Sequence, residues 1–216
     1  MATNTHSNIG NNTQALWKHY DPHVEDLYVQ RRQNIHVCII SLGSFCGRLL
    51  SGIGSDIIVQ KLHRSRFWCL FVSASTFCAA QLCALLISDP YLLVLVSGLT
   101  GLAYGLLFGV YPSLVAYTFG VNVLSTNWGT MTLAPVITGN IFNILYGMFY
   151  DHHSIIDKGG QRECLEGLEC YRSAYWVTLF AAVIAGLVCL WTIWHENEIH
   201  KSGDRLRRRS DHEREP

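Results

Sequence analysis

Five long apolar stretches, separated by short polar segments, dominate the pattern of residues along the chain. They cover residues 35–58, 67–88, 91–112, 127–150 and 173–194. Each approaches or exceeds the roughly 20 residues that a helix needs to cross about 30 Å of hydrocarbon. Their apolar residues lie on every helical face rather than in one stripe, so each helix needs apolar surroundings on all sides. The pattern predicts an all-α polytopic membrane protein with five transmembrane helices.

The segments between these stretches predict the organisation of the chain. Residues 1–34 form a polar exoplasmic lead, residues 35–195 the five-helix membrane region, and residues 196–216 a charged cytosolic tail. The second and third stretches are separated by SDPY at 88–91. Because proline fixes its own φ and disfavours helix in the residue before it, this sequence predicts a tight turn. Spans two and three should therefore form an antiparallel hairpin.

Small residues recur at helical spacing within three of the spans. Stacked on one helix face, such residues let two helices approach closely in a membrane, and we therefore expect helix contacts rather than a site. They are Gly43, Gly47 and Ser51 in span one, Gly101, Gly105 and Gly109 in span three, and Gly139 and Gly147 in span four.

The charge distribution indicates which ends of the spans share a side of the membrane. The formal net charge of zero argues against a generally basic nucleic-acid-binding protein. Nine Lys and Arg residues lie between spans one and two or in the tail, against six in the lead and in the loop between spans four and five. By the positive-inside rule, the C-terminus is expected in the cytosol and the lead outside.

Two of the eight cysteines differ from the others in their setting. Six lie within the apolar stretches, where cysteine serves as a small apolar filler. Cys164 and Cys170 lie in the loop GGQRECLEGLECY before the last span, on the predicted exoplasmic side, where a disulfide persists. A zinc site that uses them with His152 and His153 is the alternative, but the spacing matches no common ligand pattern.

The segment GRLLSGIGSD at 47–56 places an arginine inside span one and an aspartate at its end. An arginine at the centre of a spanning helix costs roughly 2.5 to 3.5 kcal/mol on insertion scales, so Arg48 should face protein, water or a partner. Asp56 is eight residues further along, about 12 Å at 1.5 Å per residue, which is beyond the reach of a salt bridge with Arg48. The two charges therefore have separate roles.

Several motifs together resemble the C-terminal half of major facilitator superfamily transporters, in the nodulin-like, monocarboxylate-transporter-like branch that is frequent in fungi. They are G-x-x-x-D followed by a basic loop, the elbow TFGVNVLSTNWGTMTLAPVITGNIFNILYG, and the C-x5-CY loop before the last span. The resemblance implies that the five spans are helices eight to twelve of a twelve-helix fold, and that NIGNNTQALW is the exit from a missing helix seven. It implies a conformational latch in which Asp56 docks against bases of the following loop, Lys61, Arg64 and Arg66.

The resemblance also implies a role for Arg48. In the related monocarboxylate transporters an arginine at this position faces the central cavity and pairs with a substrate carboxylate. An acidic residue one turn earlier takes part in proton coupling, but Ser44 stands there in this chain. The alternative is structural, with Arg48 bound to backbone carbonyls or extended to the cytoplasmic interface. The further candidates for substrate binding or gating are the polar residues at membrane depth, Gln81, Tyr104, Asn140 and Asn143. Interhelical hydrogen bonding explains the two asparagines equally well.

These observations predict the C-terminal portion of a secondary transporter for a small organic, and by the Arg48 argument anionic, solute. Its partners would be the solute, the lipid bilayer and a missing N-terminal half. The sequence shows no nucleotide-binding glycine loop, no metal cluster and no nucleophile with a base, so neither an enzyme nor a cofactor is expected. The alternative is a small membrane scaffold, assembly factor or receptor that does not transport.

Overall fold

The computed structural model describes residues 2–21, 23–61, 65–156, 162–164 and 166–212. Six α-helices account for most of these residues: α1 (Ala2–Tyr20), α2 (Asp26–Gln60), α3 (Phe67–Leu86), α4 (Leu93–Phe119), α5 (Leu124–His153) and α6 (Glu169–His212). A single 3₁₀ turn, Val121–Val123, leads into α5. The two-residue strands β1 (Ile155–Ile156) and β2 (Arg162–Glu163) form an antiparallel pair before α6.

The helices from α2 to α6 are each long and apolar enough to cross a membrane. The prediction of an all-helical, multi-pass membrane protein with five spans is therefore confirmed. The short β1–β2 pair was not predicted. Most helices extend beyond the apolar stretches, because a helix continues past the hydrocarbon wherever its residues still form backbone hydrogen bonds. Helix α2 begins nine residues before the predicted span, and α6 continues into the predicted tail as far as His212.

The predicted polar lead is largely a helix that packs into the bundle. Ile9, Ala15, Leu16 and Trp17 of α1 are buried, and α1 contacts α2, α4 and α5. Much of the predicted lead is therefore a helix of the bundle, and its position on the exoplasmic side stays a prediction. The polar residues obscured a short apolar stripe that α1 places against the neighbouring helices.

Glycines bring α2 and α4 into backbone contact. A Cβ added at Gly101 would lie 2.9 Å from the Cα of Ile40, and one added at Gly47 would lie 2.9 Å from the Cα of Gly105. A side chain at either position would push the helices apart. The predicted close approach is confirmed for spans one and three. It is wrong for Gly147 of α5, where none of the described residues lies within 4 Å of the added Cβ.

The hydrophobic core lies at the end of the bundle that carries the turn between α3 and α4 and the loop before α6. It joins α1 residues such as Leu16 to Leu93 of α4, Tyr146 of α5 and Tyr171 of α6. In the most apolar part of α3 and of α4, 44% of the residues are buried, against 17% in α2 and 11% in α5. Helices α2 and α5 therefore keep broad apolar faces that the described chain does not cover.

An arginine surrounded by aromatic rings anchors the same end. The guanidinium of Arg32 lies 5.4 Å from the ring centroid of Trp17, 5.0 Å from that of Tyr28 and 5.8 Å from that of Tyr91. Its Nη2 also donates a 2.6 Å hydrogen bond to the Tyr28 hydroxyl. These cation–π contacts connect α1, α2 and the turn before α4.

Candidate functional site

Arg48 and Tyr104, far apart in sequence, line one small cavity between α2 and α4. The cavity has a volume of about 290 Å³. Helix α2 contributes Ile40, Ser41, Ser44, Phe45 and Arg48 to its wall, and α4 contributes Tyr104. The glycine contact between these helices fixes their spacing, so the same packing that joins α2 to α4 also sets the distance across this cavity.

The guanidinium of Arg48 is available for an additional partner. Arg48 is exposed on α2, and within the described part of the chain its side chain makes no hydrogen bond or ion pair. The bond to backbone carbonyls that a purely structural role invokes does not occur among these residues. A guanidinium presents five donors in a planar fork that matches a carboxylate, so the cavity offers a recognition group for an anion.

A second cavity, of about 710 Å³, lies between α3, α4, α5 and α6. Its walls are mostly apolar and carry five aromatic residues: Phe77, Tyr104, Phe108, Tyr111 and Trp128. Pro135 and Thr138 of α5 line its far side. Tyr104 is the one described residue that lines both cavities. Tyr104 therefore borders both an arginine-lined space and a mostly apolar one.

Two of the proposed latch residues, Asp56 and Arg66, approach each other at the end of α2. Oδ1 of Asp56 lies 3.9 Å from Nη2 of Arg66, and Nη1 of Arg66 donates a 3.2 Å hydrogen bond to the Ser55 hydroxyl. The Asp56 side chain is 65% exposed, so solvent screens this ion pair strongly. Lys61 is exposed directly after α2, and Arg64 lies outside the described residues.

The other three candidates do not join Arg48 and Tyr104. Gln81 is buried in α3, where its Oε1 accepts a 3.0 Å hydrogen bond from Thr178 of α6. Asn140 donates to the Val136 carbonyl one turn earlier in its own helix. Asn143 accepts a 3.1 Å hydrogen bond from Asn8 of α1. Gln81 and Asn143 therefore connect helices, and the two asparagines line neither of the two cavities.

A buried polar network involving α1 was missed by the sequence analysis. Asn12 is fully buried, donates a 2.6 Å hydrogen bond to the Tyr175 hydroxyl and accepts one of 2.6 Å from the Tyr146 hydroxyl. It thereby joins α1 to α5 and α6. The available signal was the spacing of Asn8 and Asn12, which lie four residues apart and therefore on one face of a helix.

Cys164 and Cys170 are joined by a disulfide in the loop before α6. Their sulfurs are therefore not thiolate ligands, and no group of three or more potential metal ligands occurs among the residues that the structure describes. Gly167, between the two cysteines, has φ +63°, and a Cβ there would lie 2.9 Å from the ring of His19. The disulfide-closed loop thus packs directly against the end of α1.

Comparison with known proteins adds information about ancestry. The chain is 33% identical to the uncharacterized membrane protein YMR155W of Saccharomyces cerevisiae, over 76% of this chain and 32% of that protein. It is 32% identical to the probable transporter MCH1 of the same yeast, over 71% of this chain and 31% of the relative. The probable transporter mch1 of Neurospora crassa is 26% identical over 86% of this chain and 35% of its own length.

The chain is similar to fungal membrane proteins, several of them named as probable transporters. It spans about a third of the length of the curated relatives it matches. No family model and no solved structure matches it.

Proposed function

We propose that this chain is the C-terminal portion of a secondary transporter of the major facilitator type that moves a small organic anion. Helices α2 to α6 would be helices eight to twelve, and α1 the end of helix seven. The relatives named as probable transporters support this proposal, as does the third of their length that the chain spans. Neither enzymatic chemistry nor a cofactor is part of it.

The observation that carries the proposal is the state of Arg48. A charged side chain in a spanning helix is costly, so a residue of this kind marks a functional site unless protein groups satisfy it. Arg48 is exposed beside Tyr104, without a hydrogen bond or ion pair to the described residues. A solute carboxylate that entered this cavity would supply the missing partner.

The exposed apolar faces of the bundle are evidence for the proposed N-terminal half, which would cover them. Helix α2, which carries Arg48, exposes Leu42, Phe45, Leu49 and Ile53. In a two-bundle transporter the solute site lies near the bilayer midplane, between halves that rock against each other. The uncovered part of α2 would face that second bundle, so that Arg48 borders the solute path.

The latch would act in the transport cycle. With the C-terminus in the cytosol, Asp56, Lys61 and Arg66 would lie at the cytoplasmic end of α2 and in the loop that follows. The 3.9 Å separation of Asp56 and Arg66 describes a weak, solvent-screened pair. A weak pair suits a latch, because it must break and re-form in every cycle.

Binding of labelled benzoate to the purified chain in lipid nanodiscs tests the anion site. We expect Arg48→Gln to weaken binding about 10- to 150-fold, corresponding to the loss of a charged hydrogen bond worth about 1.5–3 kcal/mol. Arg48→Lys should retain part of the affinity, because the charge remains without the fork. Arg172→Gln is the matched control, since Arg172 pairs with Glu169 at the exposed start of α6.

Equal benzoate binding by the wild-type and Arg48→Gln chains would refute the anion site. Transport is tested separately, by co-expressing the chain with the N-terminal half of the yeast probable transporter MCH1 and measuring benzoate uptake into vesicles. We expect uptake that requires both halves. Binding without uptake by any such pair would favour the non-transporting receptor or scaffold.

A further inference from the structure

The two cavities described above are adjacent and chemically unlike. The smaller one is lined by the polar residues Arg48, Ser41 and Ser44. None of the described residues that line the larger one is charged. Their common wall is Tyr104, whose ring centroid lies 4.5 Å from that of Phe108 inside the larger cavity.

The serine and threonine hydroxyls on the wall of the larger cavity already donate to backbone carbonyls. Ser73 donates to the Ala103 carbonyl at 2.9 Å, Thr132 to that of Gly129 at 2.8 Å and Thr138 to that of Ala134 at 2.8 Å. What remains for a ligand is a mainly apolar and aromatic surface, to which Tyr104, Tyr111 and Trp128 add few polar groups. Such a surface favours a ligand body that is itself mainly apolar or aromatic.

We propose that the solute is an amphipathic carboxylate whose charged group binds Arg48 while its apolar, aromatic body passes Tyr104 into the larger cavity. This inference rests on the proposed function and names its substrate class. A volume of about 710 Å³ lies within the range of roughly 300–1,000 Å³ that holds drug-sized ligands. A two- or three-carbon acid would leave that space unfilled.

The placement of charge excludes two other ligand classes. A dianion would bring a second charge into a cavity whose described walls offer no cation, and a neutral apolar molecule would leave Arg48 unpaired. A ligand with a single carboxylate and a bulky uncharged body would pair with Arg48 and fill the apolar cavity at the same time. Tyr104, at the junction, would contact the ligand where its charged and apolar parts meet.

Saturation binding to the purified chain in nanodiscs tests this class with three probes: 2-naphthylacetate, the uncharged 2-naphthaleneethanol, and benzoate as a small acid. We expect 2-naphthylacetate to bind at least about tenfold more tightly than either of the others, because only it uses both cavities. Ala185→Phe places a ring inside the larger cavity from α6. It should weaken 2-naphthylacetate about tenfold and leave benzoate within about twofold.

Val183→Phe is the matched control, because Val183 is 45% exposed, two residues away on the same helix, and does not line the cavity. Ala74→Phe fills the cavity from α3 and repeats the test if Ala185→Phe reduces the yield of folded protein. Equal 2-naphthylacetate affinity in the filled and control variants overturns the inference while the benzoate site stands. If Arg48→Gln leaves the affinities for benzoate and 2-naphthylacetate unchanged, the proposed function itself is overturned.

Discussion

Replacing Gly105 with alanine would place a methyl group against the backbone of the neighbouring helix. An ideal Cβ at Gly105 lies 2.9 Å from the Cα of Gly47 and 2.9 Å from the carbonyl carbon of Ser44, and closer still to the Ser44 carbonyl oxygen. These atoms belong to the backbone, so no side-chain rotation relieves the contact. Ordinary van der Waals contact begins at 3.4 Å, so α2 and α4 must separate locally by about 0.5 Å to relieve the two 2.9 Å contacts, and by more to relieve the contact with the Ser44 oxygen.

The matched control is Gly52→Ala, on α2, where no residue in the described part of the chain lies within 4 Å of the added Cβ. Both substitutions gain the same helix propensity, up to about 1 kcal/mol for glycine to alanine. Their difference therefore isolates the packing term. Overpacking typically costs about 1–3 kcal/mol, so we expect Gly105→Ala to be less stable than Gly52→Ala by that amount, or about 5- to 150-fold in the unfolding equilibrium.

The assay is equilibrium unfolding of the purified chain in mixed micelles of mild detergent and increasing dodecyl sulfate, followed by helical circular dichroism. Benzoate binding measured on the same samples reports the cavity that α2 and α4 share, and it should weaken in the Gly105 variant alone. If Gly105→Ala and Gly52→Ala unfold at the same dodecyl sulfate fraction, the close approach of the two helices is not a constraint on this fold.

Three further predictions concern the disulfide, the buried network and the latch. Cys164 and Cys170 should resist maleimide in the unreduced, denatured protein, and labelling of both thiols would show that the bridge is absent. Cys170→Ser should lower the free energy of unfolding by about 2 kcal/mol, because the disulfide no longer restricts the entropy of this short loop in the unfolded chain. Tyr146→Phe removes the hydroxyl that donates to Asn12 and should lower the free energy of unfolding by about 1–3 kcal/mol in the same assay. Tyr117→Phe, at a tyrosine that is 61% exposed, should leave it almost unchanged. Equal losses in the two variants would contradict the network. Asp56→Asn, in a chain completed by an N-terminal half, should change stability by less than about 1 kcal/mol but slow uptake, and unchanged uptake would remove Asp56 from the latch.

The apolar pattern by itself determined the number of spans and the class of fold. Each helix must be apolar enough to cross the hydrocarbon by itself, so about 20 consecutive residues are enough to predict a span without information about the neighbouring helices. The close approach of spans one and three was also predictable from their glycines, because close helix packing in a membrane needs small residues at helical spacing. The same rule failed at Gly147, since spacing shows that a helix permits close contact but not that another helix is present there.

The site required the tertiary structure. Arg48 and Tyr104 line the same cavity because the contact between α2 and α4 sets the rotation and register of both helices, which local sequence does not specify. The lead illustrates the same limit, since Asn12 reads as a polar loop residue until its partner Tyr175 is brought to it from the other end of the chain. Hydropathy reports the cost of each residue in lipid or water, whereas these pairings depend on how all the helices pack together, and only the folded chain decides them.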